Sequence, residues 1–219
     1  MRPLPHLLAL SDDRVAALDD LGVRSAAIAA AGPAVGLVAR RPAGTTDQLA
    51  SLAARFVANA GPPMAAVLIT GRIDVALATG AHGVILRAND LDVATVRAVS
   101  REAAGRQGRA ESPDAMLILR SVHSEAEGAR AIDDGADALI AGPIWETPTH
   151  PGRPAMGTPF LDRIVSLGAP TFAVGGVTPE RAKLVQAAGG WGLAAISAIW
   201  DADKPYQVAI GLLQPWIGS

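Results

Sequence analysis

Residues 115–142 read AMLILRSVHSEAEGARAIDDGADALIAG, and this stretch decides the fold. Two aliphatic runs, AMLILRSV (115–122) and DALIAG (137–142), enclose a segment with helical spacing. Ser124 stands where an N-cap belongs, Glu127 follows three residues later as in a capping box, and Gly135 is placed to stop the helix. Both runs are apolar at nearly every position rather than at every second one, the pattern of strands buried on both faces in a parallel sheet.

The same format recurs on either side. Six further runs are HLLALS (6–11), AVGLVAR (34–40), AAVLIT (65–70), HGVILR (82–87), TFAVGG (171–176) and GLAAIS (192–197), which brings the number of expected strands to eight. Ala-rich helical segments separate them; the clearest, TTDQLASLAARFVANAG, opens on a Thr cap and closes at Gly61. Eight parallel strands alternating with helices predict an α/β fold, a closed (β/α)8 TIM barrel formed by a single domain over 1–219. A doubly wound open sheet is the alternative. Closure is favoured by the strand count and by LSDDRVAAL after the first run, which lacks the glycines of a dinucleotide-binding loop.

Composition narrows the function. Nineteen Lys and Arg face 21 Asp and Glu, a net charge of -2 with no basic excess for a nucleic-acid backbone. Cysteine is absent, which removes disulfides, thiolate metal sites and cysteine nucleophiles and suits a reducing compartment. The N-terminal MRPLPHLLALSDDR is too short and too poorly flanked for a signal peptide, and no apolar run reaches the roughly 18 residues of a membrane span. The expectation is a cytoplasmic protein that binds neither nucleic acid nor membrane, with self-association as a homo-oligomer left open. With four Trp, three Phe and one Tyr, the core must be filled mainly by Ala, Val, Leu and Ile.

A parallel barrel carries its active site at the C-terminal ends of its strands. The residues there are Ser11, Asp12 and Asp13; Arg40 and Arg41; Thr70, Gly71 and Arg72; Arg87, Asn89 and Asp90; Ser121 and His123; Gly175 and Gly176; and Ser197. Several cations gathered at one rim of a slightly acidic chain suggest an anionic ligand. AVGGVTPE, followed by Ser197 in AAISAI, suggests a phosphate cup of backbone amides and a hydroxyl. The plainer alternative is a tight turn at Gly175–Gly176 and a helix cap at Ser197. His6 and His82 fall at strand beginnings and are expected to be structural. His123 and His150 are the candidates for proton transfer, the latter within the irregular Pro143–Pro159 loop, a lid or merely a solvated segment. Trp145 is placed to line a pocket for a flat ring.

LITGRIDVALATGAHGVIL, RSVHSEAEGARAIDDGADALIAGPIWETPTHPG, FAVGGVTPERAKLVQAAGG and AAISAIW are similar, in order, to blocks of the thiamine-phosphate synthase superfamily, which includes the TenI thiazole tautomerases. The resemblance runs from about Leu7 to Trp200 and implies a (β/α)8 barrel. The synthase joins a hydroxymethylpyrimidine diphosphate to a thiazole phosphate. In its Gln-Leu-Arg-Glu-Lys segment this chain has Gly36, Val38 and Arg40, keeping one cation. The Asn-Asp pair whose Asp binds magnesium is matched by Thr70 and Gly71, while Asp90 matches the second magnesium carboxylate. Thr147, Thr149 and His150 stand where the family has Thr-x-Thr-Lys. The resemblance therefore implies a retained thiazole-phosphate half, Thr147, Thr149, Gly175, Gly176 and Ser197, beside a depleted diphosphate half, with Ser121 a further substrate-binding candidate from its place at the end of the fifth run.

Three functions follow as expectations, each with a small phosphorylated heterocycle as ligand. The first is a TenI-like thiazole tautomerase without cofactor. That branch uses a His after the sixth strand where this chain has Pro143, so His150 or His123 must supply the general acid/base. The second is a thiamine-phosphate synthase in which Arg40 and Asp90 serve the diphosphate and magnesium. The third is a non-catalytic binder of the same fold.

Overall fold

The computed structural model describes residues 4–60, 65–106, 116–147, 152 and 154–218. Its strands are β1 (Leu7–Leu10), β2 (Val35–Ala39), β3 (Ala66–Thr70), β4 (Gly83–Leu86), β5 (Leu117–Val122), β6 (Ala138–Ala141), β7 (Thr171–Val174) and β8 (Gly192–Ala195). Each pairs in parallel with the next, and β1 pairs with β8, so the sheet closes. The helices are α1 (Asp13–Ala16), α2 (Leu21–Ala29), α3 (Thr46–Ala60), α4 (Ile73–Thr79) and α5 (Val93–Arg106), then α6 (Glu125–Asp133), α7 (Thr158–Val165), α8 (Pro179–Ala187), α9 (Ser197–Trp200) and α10 (Pro205–Ile217). No helix among the described residues is long and apolar enough to cross a membrane. The expected closed barrel is the observed one, and all eight strands lie within the runs read from the sequence.

Two apolar layers explain why the strands lack polar alternation. Leu8, Val38, Ala66, Leu68, Ile85, Leu117, Leu119, Ala138, Ile140, Phe172 and Ala194 fill the barrel interior. The intervening residues, among them Leu7, Leu37, Val67, Ile69, Ile118 and Leu139, pack outward with Phe56 and Trp200 beneath the helices. Phe172 is the one aromatic side chain in the inner cluster; the rest is aliphatic, as the composition demanded.

Local signals start the helices. Gln48 and Thr45 exchange side-chain and backbone hydrogen bonds at 3.3 and 3.0 Å ahead of α3; Gly61 lies outside the described residues. Ser124 caps α6 by accepting the Glu127 N–H at 3.1 Å. The reciprocal bond differs from the expected capping box: the Glu127 carboxylate accepts the N–H of His123, at 2.8 Å, so it reaches back one residue further and ties the helix to the end of β5.

The N-terminal face of the barrel is closed by its histidines. The Nδ1–H of His6 donates to the Trp191 carbonyl at 2.6 Å, and its ring stacks between Trp191 and Trp216, with centroids at 4.6 and 6.0 Å. The Trp191 indole donates to the Pro5 carbonyl at 2.9 Å, and the Leu193 N–H to the His6 carbonyl at 2.8 Å. His82 Nδ1 accepts the Val67 N–H at 2.9 Å. Both residues are structural, as their position at strand beginnings predicted.

Candidate active site

Continuing the inward register of each strand by one step past the apolar interior generates the mouth of the barrel. Two residues beyond Leu8, Val38, Leu68, Ile85, Leu119, Ile140, Phe172 and Ala194 stand Leu10, Arg40, Thr70, Arg87, Ser121, Gly142, Val174 and Ile196. All of these except Thr70 line one cavity of about 490 Å³, together with Asn89, His123, Pro143, Thr147, Gly175, Gly176 and Ser197. The register thus places both guanidinium groups, Ser121 and the seventh- and eighth-strand turns around a single space.

Arg40 is fixed through its backbone. The buried Ser11 hydroxyl accepts the Arg40 N–H at 2.9 Å and lies within hydrogen-bond distance of the Arg40 and Val38 carbonyls, stitching the end of β1 to that of β2. The Arg40 side chain makes no hydrogen bond among the described residues. Burial lowers its pKa; Asp12 and Asp13 oppose the shift and the Arg87 cation adds to it. Arg87 is clamped by Asp90, whose Oδ2 accepts the Arg87 backbone N–H at 2.7 Å and Nε–H at 3.1 Å while Oδ1 accepts from Nη2 at 3.0 Å. This pairing raises the Arg87 pKa, so the group is a permanent cation. Gly71, at φ +74°, makes room for the clamp: a Cβ there would come within 2.9 Å of Arg87 Nη2 and of both Asp90 oxygens.

Across the mouth, Gly175 and Gly176 have φ of +95° and +62°. A Cβ on Gly175 would come within 2.8 Å of the Pro143 Cβ, and one on Gly176 within 2.5 Å of the Glu146 carbonyl. The glycines therefore admit the loop after β6 as well as exposing their own amides. No described hydrogen bond uses the N–H of Gly175, Gly176 or Ser197. Thr178 caps α8 through the Arg181 N–H, and the Arg181 guanidinium donates to the Gly176 carbonyl while lying 5.1 Å over the Trp145 ring. Trp145 is thus covered by Arg181 and does not line the cavity, contrary to expectation. His123 is in the wall, one-third exposed, with Nδ1 3.5 Å from Glu127 Oε2.

A family model described as thiamine monophosphate synthase matches residues 9–199. The chain belongs to that family. Family membership places it among proteins of thiamine biosynthesis. It is 34% identical over 148 residues to a thiamine-phosphate synthase of Gloeobacter violaceus, a match covering 67% of this chain and 40% of the relative, so the chain spans less than half of that protein. With a thiamine-phosphate synthase of Thermus thermophilus it shares 34% identity over 174 residues, 78% of this chain and 74% of the relative. The solved thiamine phosphate pyrophosphorylase from Pyrococcus furiosus superposes with a TM-score of 0.68 at 25% identity, covering 95% of this chain and 94% of that one.

Against the thiamine monophosphate synthase pattern, the magnesium that the resemblance implied does not fit these residues. Asp90 directs both carboxylate oxygens at a guanidinium, Gly71 offers no second carboxylate, and no three His, Asp or Glu side chains converge as a metal site among the described residues. Of the residues singled out in the sequence, Arg40, Ser121, His123, Thr147, Gly175, Gly176 and Ser197 meet at the cavity. Thr149 and His150 lie outside the described residues. Sequence reasoning counted Arg87 and Thr70 only among the residues at the strand ends, and Thr70 also as a departure from the family's Asn-Asp pair. The signal that finds both is the inward alternation of β3 and β4 carried two residues beyond the apolar interior. Arg181 had no such signal, because its contacts are made across two separate turns.

Proposed function

We propose that the chain catalyses a condensation of the thiamine-phosphate synthase type, joining a pyrimidine methyl diphosphate to a thiazole phosphate, in preference to the tautomerase reading of the sequence. One observation carries this: a single cavity has two anion-ready ends. Gly175, Gly176 and Ser197 suit a monophosphate on the β7–β8 side, and Arg40 and Arg87 suit a more highly charged group on the β2–β4 side. A tautomerase would offer the second end only the single carboxylate of its thiazole phosphate, less charge than two guanidinium groups suit. The names of the curated relatives support the same reading.

In this reaction the bond between the methylene carbon and the diphosphate oxygen breaks, pyrophosphate leaves with the electron pair, and the thiazole nitrogen lone pair forms the new carbon–nitrogen bond. The negative charge that develops on the leaving group is what the two guanidinium groups would stabilise; removing a group of this kind costs on the order of 10²- to 10³-fold in rate. No general base is needed to form that bond, which agrees with Pro143 standing where the tautomerase branch has its histidine. Incubating the protein with both substrates and measuring pyrophosphate and thiamine phosphate tests the proposal. Equimolar appearance of the two is expected; no release of pyrophosphate, with or without magnesium, would overturn it.

His123 favours a second reading. It faces the cavity beside Glu127, a position from which an imidazole could move a proton at a thiazole carbon. Isomerisation of the carboxylated thiazole phosphate by the wild-type protein, lost in His123→Ala, would establish the tautomerase in its place.

A further inference from the structure

We infer that the cation serving the diphosphate end is built into the chain: the Arg87 guanidinium, clamped by Asp90, occupies the role of a divalent metal, so that a pyrophosphate group binds between Arg40 and Arg87 without one. The inference rests on the synthase reading for what the anion is, and on four observations for the site itself. First, Arg40 and Arg87 sit on the inward register of strands separated only by β3, and their charges repel, as the lowered Arg40 pKa reflects together with burial. An anion between them relieves that repulsion.

Second, Thr70 ends β3 between the two arginines. Ala66 and Leu68 lie in the barrel interior, so the two-residue alternation aims Thr70 inward too. It is only 8% exposed and lies outside the cavity lining, so no side chain at the end of β3 competes with an anion for the two guanidinium groups. Third, Asp90 cannot serve a metal and the clamp together, because two guanidinium N–H groups of Arg87 and its backbone N–H already occupy its two oxygens. Fourth, a Cβ at Gly71 would come within 2.9 Å of Arg87 Nη2 and both Asp90 oxygens and would have to displace them, so the residue that withholds a second carboxylate is also the one that leaves the clamp undisturbed. The depletion read in the sequence is therefore an exchange: a mobile cation is replaced by a fixed one, and Arg rather than Lys suits the bidentate geometry of phosphate oxygens.

Calorimetric titration of the protein with inorganic pyrophosphate tests this without the second substrate. Binding in excess EDTA is expected to match that in millimolar magnesium within about twofold, and to weaken at least tenfold in Arg87→Ala, with circular dichroism confirming that the variant folds. A wild-type protein that binds pyrophosphate only with magnesium overturns the inference and needs no variant; so does Arg87→Ala binding as tightly as wild type. Metal-free binding without condensation would sink the synthase reading alone, and condensation with strictly metal-dependent binding would sink this inference alone.

Discussion

Ser197 enters the cavity from the first residue of α9, and its hydroxyl makes no hydrogen bond among the described residues. If it completes the monophosphate end, Ser197→Ala removes one hydrogen bond of about 1 kcal/mol, roughly a fivefold rise in the KM for thiazole phosphate with kcat little changed. Steady-state kinetics at saturating diphosphate substrate would show it; a fall in kcat at constant KM would contradict uniform binding. Position along the chain made Ser197, Ser121 and Arg40 legible, because each lies where an inward-facing strand runs out of apolar residues. Gly175 and Gly176 were legible for only half of their reason. Their positive φ follows from a tight turn, whereas their lack of side chains also admits Pro143 and Glu146 from a loop roughly thirty residues earlier, which no local pattern announces.

α8 links the cup to the rest of the barrel. Thr178 caps it, and three residues on Arg181 reaches back to Gly176 and across to Trp145. Thr178→Ala should cost about 1 kcal/mol, read as a lower midpoint in urea unfolding at unchanged m-value. Because the cap sets the direction of Arg181, the same variant should also weaken binding of the thiazole phosphate, while Ser124→Ala, which uncaps α6, should cost similar stability without that loss. Strands were the most legible elements: each is short, apolar on both faces and bounded by polar residues or glycine. The capping box of α6 was legible in its residues and misassigned in one bond, since sequence spacing does not say which of two neighbouring amides the turn presents to Glu127. The stretch after β6 has no periodicity, so Thr147 and Thr149 were read there only through the family resemblance, and Trp145 was misplaced in the cavity wall.

Carboxylates at three helix starts add to the acid sensitivity of the assembled barrel. Asp74 at α4 is held below the usual carboxylate range by Arg72, Asp92 ahead of α5 by the Thr95 N–H and hydroxyl, and Glu180 in α8 by its own backbone N–H and the Thr178 hydroxyl. With folded pKa values below the unfolded ones, the unfolded chain binds more protons as pH falls. Their contribution is complete above the unfolded pKa of about 4 and is lost as pH drops through the folded values. Melting temperatures between pH 6 and pH 3 should therefore decline on the acid side, and less steeply in Asp74→Asn/Asp92→Asn; identical slopes would refute the assignment. The architecture itself was legible because eight doubly buried strands leave no free edge only if the last returns to the first.

That return has a consequence for how the protein is made. Of the eight strands β1 leaves the ribosome first, yet the neighbour that covers its second edge, β8, is the last of them, and the Trp216 that completes the stack with Trp191 and His6 follows later still. At roughly 5–20 residues per second, the nascent chain carries an exposed, fully apolar strand for on the order of ten seconds or more, a window in which a holdase chaperone has a defined target at Leu7–Leu10.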